Sequence, residues 1–351
     1  MTETTSAIDE CIAAQMQRCH IPGLSLAIVH DGRIVKTAGY GWMDKDGKRS
    51  VTSATLFQAA SLSKPVAALA VVRLAADGRL SLDEDVNRRL ESWALPENEF
   101  TREEKVTLRR ILTSCAGLTV GGFPGYVEGQ PIPTLVQVLD GMPPANTPAI
   151  RVDFVPGSQE RYSGGGFTLM QKLILDLSVA SFPRFMRETV LLPLGMRSST
   201  YEQPLPSEKE PIAAVGYHPD GNAVKGRWHT YPEMAAAGLW TTPSDLARYI
   251  IGIQKACSDA PDAIISQHAI REMLGEHGKG MGLGVGLESS GPTLRFFGNG
   301  RNEGFDSTFM AYADMGRGAV IMINTNDNTW VMHDILRVIG QEYEWPDFRP
   351  S

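Results

Sequence analysis

This chain of 351 residues is short of several features that would fix a class at once. It has four cysteines, Cys11, Cys19, Cys115 and Cys257, with no metal-ligand spacing and no dense framework, so free thiols in a reducing compartment are the simplest expectation. Its histidines are scattered and none has zinc-site spacing. No apolar run approaches membrane-spanning length. The segment 1–7 is polar, without a basic start or an apolar stretch, which reads as no secretory signal and a cytoplasmic home. The net charge is −7 with no long block of one sign, which argues against nucleic acid or an anionic membrane as partner. Gly-x-Ser-x-Gly and Gly-Lys-Ser/Thr patterns are missing, so neither a nucleophile elbow nor a phosphate-binding loop is expected. No metal or cofactor is called for.

What remains is an ordinary soluble composition, 42% hydrophobic and 21% charged, ample for a sizeable core. Apolar periodicity predicts helices over residues 8–18, 65–76, 106–112, 131–140, 167–178, 246–256 and 331–342. Two apolar runs joined by Asp31-Gly32 predict a hairpin near the start, and residues 308–312 and 319–324 predict antiparallel strands near the end. Strands at both ends with helices between them predict an α+β fold, an antiparallel sheet formed by both chain ends and flanked by helices, with an inserted mainly helical lobe. The expected division is one catalytic unit over 1–351, with an α/β lobe at 1–79 and 205–351 and a helical lobe at 80–204.

Three stretches carry chemistry. Ser61-Leu62-Ser63-Lys64 opens the helix that Pro65 continues, and a lysine three residues on returns to the face of the serine. A desolvated lysine can serve as base toward a serine hydroxyl, although a four-residue pattern alone is equally a solvated helix start. Tyr162-Ser163-Gly164-Gly165-Gly166 precedes another helix, where a phenol near an ammonium can relay a proton. Alone it is compatible with a packed tyrosine beside a turn. Gly298-Asn299-Gly300-Arg301 precedes the first C-terminal strand, and glycines there let backbone N–H groups approach an oxyanion. A plain glycine-rich hairpin would read the same.

Together and in this order, these stretches resemble the serine β-lactamase and penicillin-binding-protein-like superfamily, specifically class C β-lactamase-like esterases. The likeness extends through Leu112 to Leu118 and Ala237 to Leu246, to Asn302-Glu303-Gly304-Phe305. It implies a β-lactamase/transpeptidase-like fold, with Ser61 as acyl-accepting nucleophile, Lys64 as its proton partner and Tyr162 assisting acylation and deacylation. It also implies an oxyanion hole from the backbone N–H groups of Ser61 and Arg301, and a substrate-binding strand at Gly298, Asn299 and Gly300. The chain departs from the family at Gly164, where asparagine is usual, at Ser114, where histidine is frequent, and at Gly298, where lysine or histidine is usual. A one-residue gap would instead bring Asn299 to that last position. These departures favour esters over β-lactams. Phe123 and Tyr126 on a Gly/Pro loop, with Trp240, are further substrate-binding candidates; Trp228 and His229 are weaker ones. The expected function is a serine hydrolase acting on a small or medium carboxylic ester as its small-molecule partner. A transacylase, an amidase, D-aminopeptidase or β-lactamase, and a non-catalytic ligand-binding member are the alternatives.

Overall fold

The computed structural model describes every residue except 1–5, 179, 279, 291–292 and 349–351. Helix α1 (Ala7–Arg18) is capped by Ser6, whose hydroxyl accepts from the Asp9 N–H. It leads into the hairpin β1 (Gly23–His30) and β2 (Arg33–Asp44). Both turn residues, Asp31 at φ 49° and Gly32 at φ 69°, adopt the left-handed conformation that matches the twist of a two-residue hairpin. Short strands β3 (Arg49–Ser50) and β4 (Phe57–Gln58) follow, then helix α2 (Ser63–Ala76).

The middle of the chain holds α3 (Leu108–Leu112), α4 (Leu135–Asp140), α5 (Gly164–Leu177), α6 (Phe182–Met186) and α7 (Met234–Ala237). Strand β5 (Trp240–Thr241) pairs with β4 as a separate two-stranded ribbon. Helices α8 (Pro243–Cys257) and α9 (Gln267–Met273) precede β6 (Gly286–Ser290), β7 (Thr293–Asn302), β8 (Phe305–Tyr312) and β9 (Gly318–Ile323), and α10 (Thr329–Glu342) follows them. The Thr242 hydroxyl caps α8, with Pro243 in the first turn.

The main sheet has the order β3-β2-β1-β9-β8-β7-β6, antiparallel throughout. Its centre is the pairing of β1 with β9, so the two ends of the chain meet there, Leu24 opposite Ile323 and Ile28 opposite Ala319. Period-two alternation gives each face its own core. Leu24, Leu26 and Ile28 pack with Ile8 and Ile12 of α1 and with Val331, Ile335 and Ile339 of α10. Ala27 and Val29 face the larger core that includes α2, α5 and α8. Each fully buried Ile or Leu contributes roughly 1.5–3 kcal/mol.

Helix α2 is apolar nearly all round and is buried on nearly every side, as such a helix must be. It is the pillar on which the candidate nucleophile stands. The expected antiparallel sheet and helices are present, the helix starts differ from expectation by a few residues, and at α5 and α4 the cause is visible. Helix α5 begins at Gly164 rather than 167, because the Ser163 hydroxyl accepts from Gly166 N–H and fixes the first turn despite three glycines. Helix α4 begins at Leu135 rather than 131, where the Thr134–Gln137 capping box starts it.

Candidate active site

Ser61 lies in a single 3-10 turn, Ala60–Leu62, directly before α2. Ala60 ahead of it has φ 51°, a left-handed conformation that a non-glycine residue holds at a cost of about 1–3 kcal/mol. The surroundings hold this bend in place. The Ala59 N–H donates to the Leu239 carbonyl (2.8 Å), and the Ala59 carbonyl accepts from Ser307 Oγ on β8 (2.7 Å). Ser63 Oγ donates to the Ala60 carbonyl (2.6 Å) and accepts from Leu239 N–H (2.9 Å), tying the first residue of α2 to the segment before β5. The sequence reading passed over both serines. The only signal for Ser63 is its place inside the Ser-x-x-Lys stretch, and for Ser307 its place just after Gly304-Phe305.

Lys64 projects from the first turn of α2 and is 5% exposed. Its Nζ donates to Ser61 Oγ (3.0 Å) and to the Ala236 carbonyl of α7 (2.8 Å). The Tyr162 hydroxyl donates to the same Ser61 Oγ (2.8 Å), and Lys64 Nζ lies 4.9 Å from the centre of the tyrosine ring. Two side chains from remote stretches therefore converge on the Ser61 oxygen. Tyr162 is 50% exposed and Ser61 is partly exposed.

Tyr162 is held from both sides along the chain. Arg161 donates from its backbone to the Ser114 carbonyl (2.7 Å) and from its guanidinium to the carbonyls of Gly117 (3.2 Å) and Leu118 (2.9 Å), and pairs with Asp153. After Tyr162, the N–H groups of Gly164 and Gly165 donate to the carbonyls of Gly121 (3.0 Å) and Val120 (2.9 Å). A Cβ on Gly165 would stand 2.5 Å from the Thr119 carbonyl oxygen, so this close crossing requires glycine.

Strand β7 forms the opposite wall. Gly300 is buried, and a Cβ on it would stand 2.9 Å from the Ser61 nitrogen. A Cβ on Gly298 would meet Leu62 at 2.8 Å, which places residue 298 on the nucleophile's side of the sheet. Alternation sends Asn299 and Arg301 to the other face. Asn299 accepts from Thr308 Oγ1 (2.8 Å) and lies 3.2 Å from His333 Nε2 on α10. This corrects the expectation of Asn299 as a substrate-binding side chain, and with it the alternative that brings Asn299 to the family's lysine or histidine position. The Arg301 guanidinium is held by Asp306 (2.9 Å), Asp327 (2.5 Å) and Thr329 (3.2 Å), so it does not replace the family's cationic side chain on the nucleophile's side.

Two more expected contacts are corrected. Trp240 is fully buried, stacked edge-on against Trp228 (5.1 Å) and Phe305 (5.9 Å) in the core. Tyr126 is 2% exposed, and its hydroxyl accepts from the Asn146 N–H (3.2 Å). Neither is open to a substrate. Phe123 is partly exposed and lies against Gly164. His229 is partly exposed, with Nδ1 2.8 Å from the Pro124 carbonyl.

Glu233 immediately precedes α7, the turn whose carbonyl holds Lys64. It is fully buried, neither carboxyl oxygen has a hydrogen-bond partner among the described residues, and burial pushes its carboxyl up to about 8. No group of acidic, histidine or cysteine side chains suited to a metal ion occurs among the described residues, and no described helix is long and apolar enough to cross a membrane. Two surface hollows of about 630 Å³ each lie beside Met16 and Trp42 and beside Pro183 and Glu202, and neither is lined by Ser61.

Comparison with known proteins bears on this geometry. "Protein flp" of Staphylococcus aureus (strain N315) is 28% identical over 251 residues, 69% of this chain and 46% of that protein. A protein named "Beta-lactamase" from Pseudomonas fluorescens is 27% identical over 249 residues, 71% of this chain and 64% of that protein. The chain thus spans between about half and two thirds of the curated relatives it matches. Among solved structures, a penicillin-binding protein homologue from Pyrococcus abyssi, described as octameric, superposes with a TM-score of 0.77 at 22% identity, covering 96% of this chain and 78% of that one. A class C beta-lactamase mutant superposes with a TM-score of 0.73 at 23% identity, covering 94% and 95%. These likenesses establish the fold. The family model described as Beta-lactamase matches residues 8–343, and by that match over nearly its whole length the chain belongs to the beta-lactamase family.

Proposed function

We propose that this protein is a serine hydrolase that cleaves a small or medium carboxylic ester through an acyl-Ser61 intermediate. The observation that carries the reading is the double hydrogen bond to Ser61 Oγ from Lys64 Nζ and the Tyr162 hydroxyl. The family's scaffold supports serine hydrolysis.

In the reacting form Lys64 is the free amine and takes the Ser61 hydrogen as Oγ attacks the ester carbonyl carbon. The carbonyl oxygen gains the negative charge, and the backbone N–H groups of Ser61 and Arg301 are its assigned donors. On collapse the carbon–alkoxy bond breaks, and the Tyr162 hydroxyl passes a proton to the leaving alcohol and recovers one from the Lys64 ammonium. Water then attacks the acyl carbon, its proton travels back through the same pair, and Ser61 is released. The Ala236 carbonyl keeps Lys64 Nζ aimed at Oγ through both halves.

The preference for esters rests on three positions. Gly298 offers no cation on the nucleophile's side, Gly164 offers no amide, and the Arg301 guanidinium is engaged with Asp306 and Asp327 on the far face. A β-lactam carboxylate therefore meets no fixed positive partner there, whereas a neutral ester needs none. Side-by-side turnover of p-nitrophenyl acetate, a D-alanyl amide and nitrocefin tests this. The expected ester kcat/KM exceeds the other two by at least about a hundredfold. Nitrocefin turnover equal to that of the ester would reject the substrate assignment.

A further inference from the structure

The face of α5 beside the nucleophile carries a substitution of one surface for another. Phe167 lies one turn beyond Gly164 on the same side of the helix, and its ring centre is 5.7 Å from Lys64 Nζ. The Tyr162 ring, two residues before Gly164, is 4.9 Å from the same atom. Gly164 therefore lies in the chain between two residues whose rings flank the lysine. A Cβ there would stand 3.0 Å from Phe123 Cε2 and 3.0 Å from the Gly121 carbonyl oxygen. The ring of Phe123 thus covers the place from which a side chain at position 164 would start.

The backbone on both sides of Phe123 is held in position. The 119–121 segment is bound to the first turn of α5 through Gly121 and Val120 carbonyls, and Ser163 Oγ donates to the Thr119 carbonyl (2.9 Å). On the other side, the Pro124 carbonyl lies 2.8 Å from His229 Nδ1, and the Asn146 amide donates to the Gly125 carbonyl (2.8 Å). A partly exposed aromatic ring on an anchored backbone, against the residue two positions after Tyr162, is a wall of the kind that lines ligand clefts. Tyr162, the proposed route for the leaving alcohol's proton, opens to solvent, which leaves the covered side of α5 for the group that stays on Ser61.

We propose that Phe123 is the specificity-determining wall of the acyl subsite, selecting plain aliphatic acyl groups over acyl groups that carry an amide. This rests on the acyl-enzyme reading above. An amide in the acyl chain would lose water against the ring and gain no partner from residue 164, whereas methylene groups gain contact there.

The test holds the leaving group constant and varies the acyl group, using p-nitrophenyl butyrate, acetate and N-acetylglycinate. Expected is a butyrate-to-N-acetylglycinate ratio of kcat/KM on the order of ten or more in the native protein, reduced about tenfold in Phe123→Ala and Phe123→Asn and retained in Phe123→Leu. Should Phe123→Ala fail to fold, the Leu and Asn variants carry the comparison, with thermal melts establishing that each is folded. An unchanged ratio in folded Phe123→Asn overturns the proposal. So does a change confined to the alcohol side, read with methyl and butyl acetate. A native protein that a fluorophosphonate labels at Ser61 but whose ratio ignores position 123 defeats this inference alone. A native protein that neither labels nor turns over any ester defeats the hydrolase reading as well.

Discussion

Gly300 on β7 lies so close to Ser61 that a Cβ built on it would stand 2.9 Å from the Ser61 backbone nitrogen, 2.4 Å from the Ala59 carbonyl oxygen and 2.6 Å from Ser307 Oγ. Two of these neighbours are backbone atoms of the strained turn that presents the nucleophile. They cannot rotate aside as a flexible side chain would. The close approach brings the β7 backbone alongside Ser61, as a two-donor oxyanion site requires.

Gly300→Ala is therefore expected to push β7 away from the turn. The expected loss in ester kcat/KM is about a hundredfold or more, together with roughly 1–3 kcal/mol of stability from overpacking. Steady-state kinetics and a denaturant melt check both. A variant with native kinetics would show that β7 takes no part in the chemistry.

Tyr162→Phe removes one hydroxyl and keeps the ring beside Lys64. Because Tyr162 is half exposed, its stability effect is expected to stay within about 1 kcal/mol. The expected loss in kcat is about 10²–10⁴-fold. The pH profile of kcat/KM should change with it, since one of the two groups that share the Ser61 proton has gone.

Much of this arrangement was legible in the sequence, for physical reasons that differ by element. The β1–β2 hairpin was marked by Asp31-Gly32, and both residues adopt the positive φ that the turn needs. The convergence of Ser61, Lys64 and Tyr162 was foreshadowed by helical spacing at 61–64 and by the resemblance, which together brought positions a hundred residues apart to one place. Strand β7 was harder. Its glycines have low strand propensity, so residues 298–301 read as an edge before the first C-terminal strand, whereas long-range pairing with β8 makes them part of a strand. Once that strand is known, alternation alone decides between Gly298 and Asn299. Trp240 and Tyr126 were misplaced because an aromatic residue near a glycine-rich segment reads the same whether it lines a cleft or fills a core. Their burial follows from Trp228, Phe305 and Asn146, which are distant in sequence.

Glu233 gives a stability prediction. Its folded carboxyl is raised to about 8 from an ordinary value of 4.5, with burial as the cause. Between those values the unfolded chain has lost the proton and the folded chain keeps it, so stability falls as pH rises from about 4.5 to about 8 and then levels off. Glu233→Gln imitates the protonated form. It is expected to flatten this slope and to gain on the native protein by on the order of a few kcal/mol at pH 8, with little difference at pH 4.5. Denaturant melts across that range check it; parallel curves for the two proteins would contradict the assignment.

The most direct test of the account is intact mass after exposure to a fluorophosphonate, for the native protein and for Ser61→Ala, with ester turnover measured on the same samples. The account predicts a single adduct on the native protein, mapped to Ser61, and the loss of both adduct and turnover in Ser61→Ala. An adduct on a different residue, or turnover that survives the loss of the Ser61 hydroxyl, would contradict it.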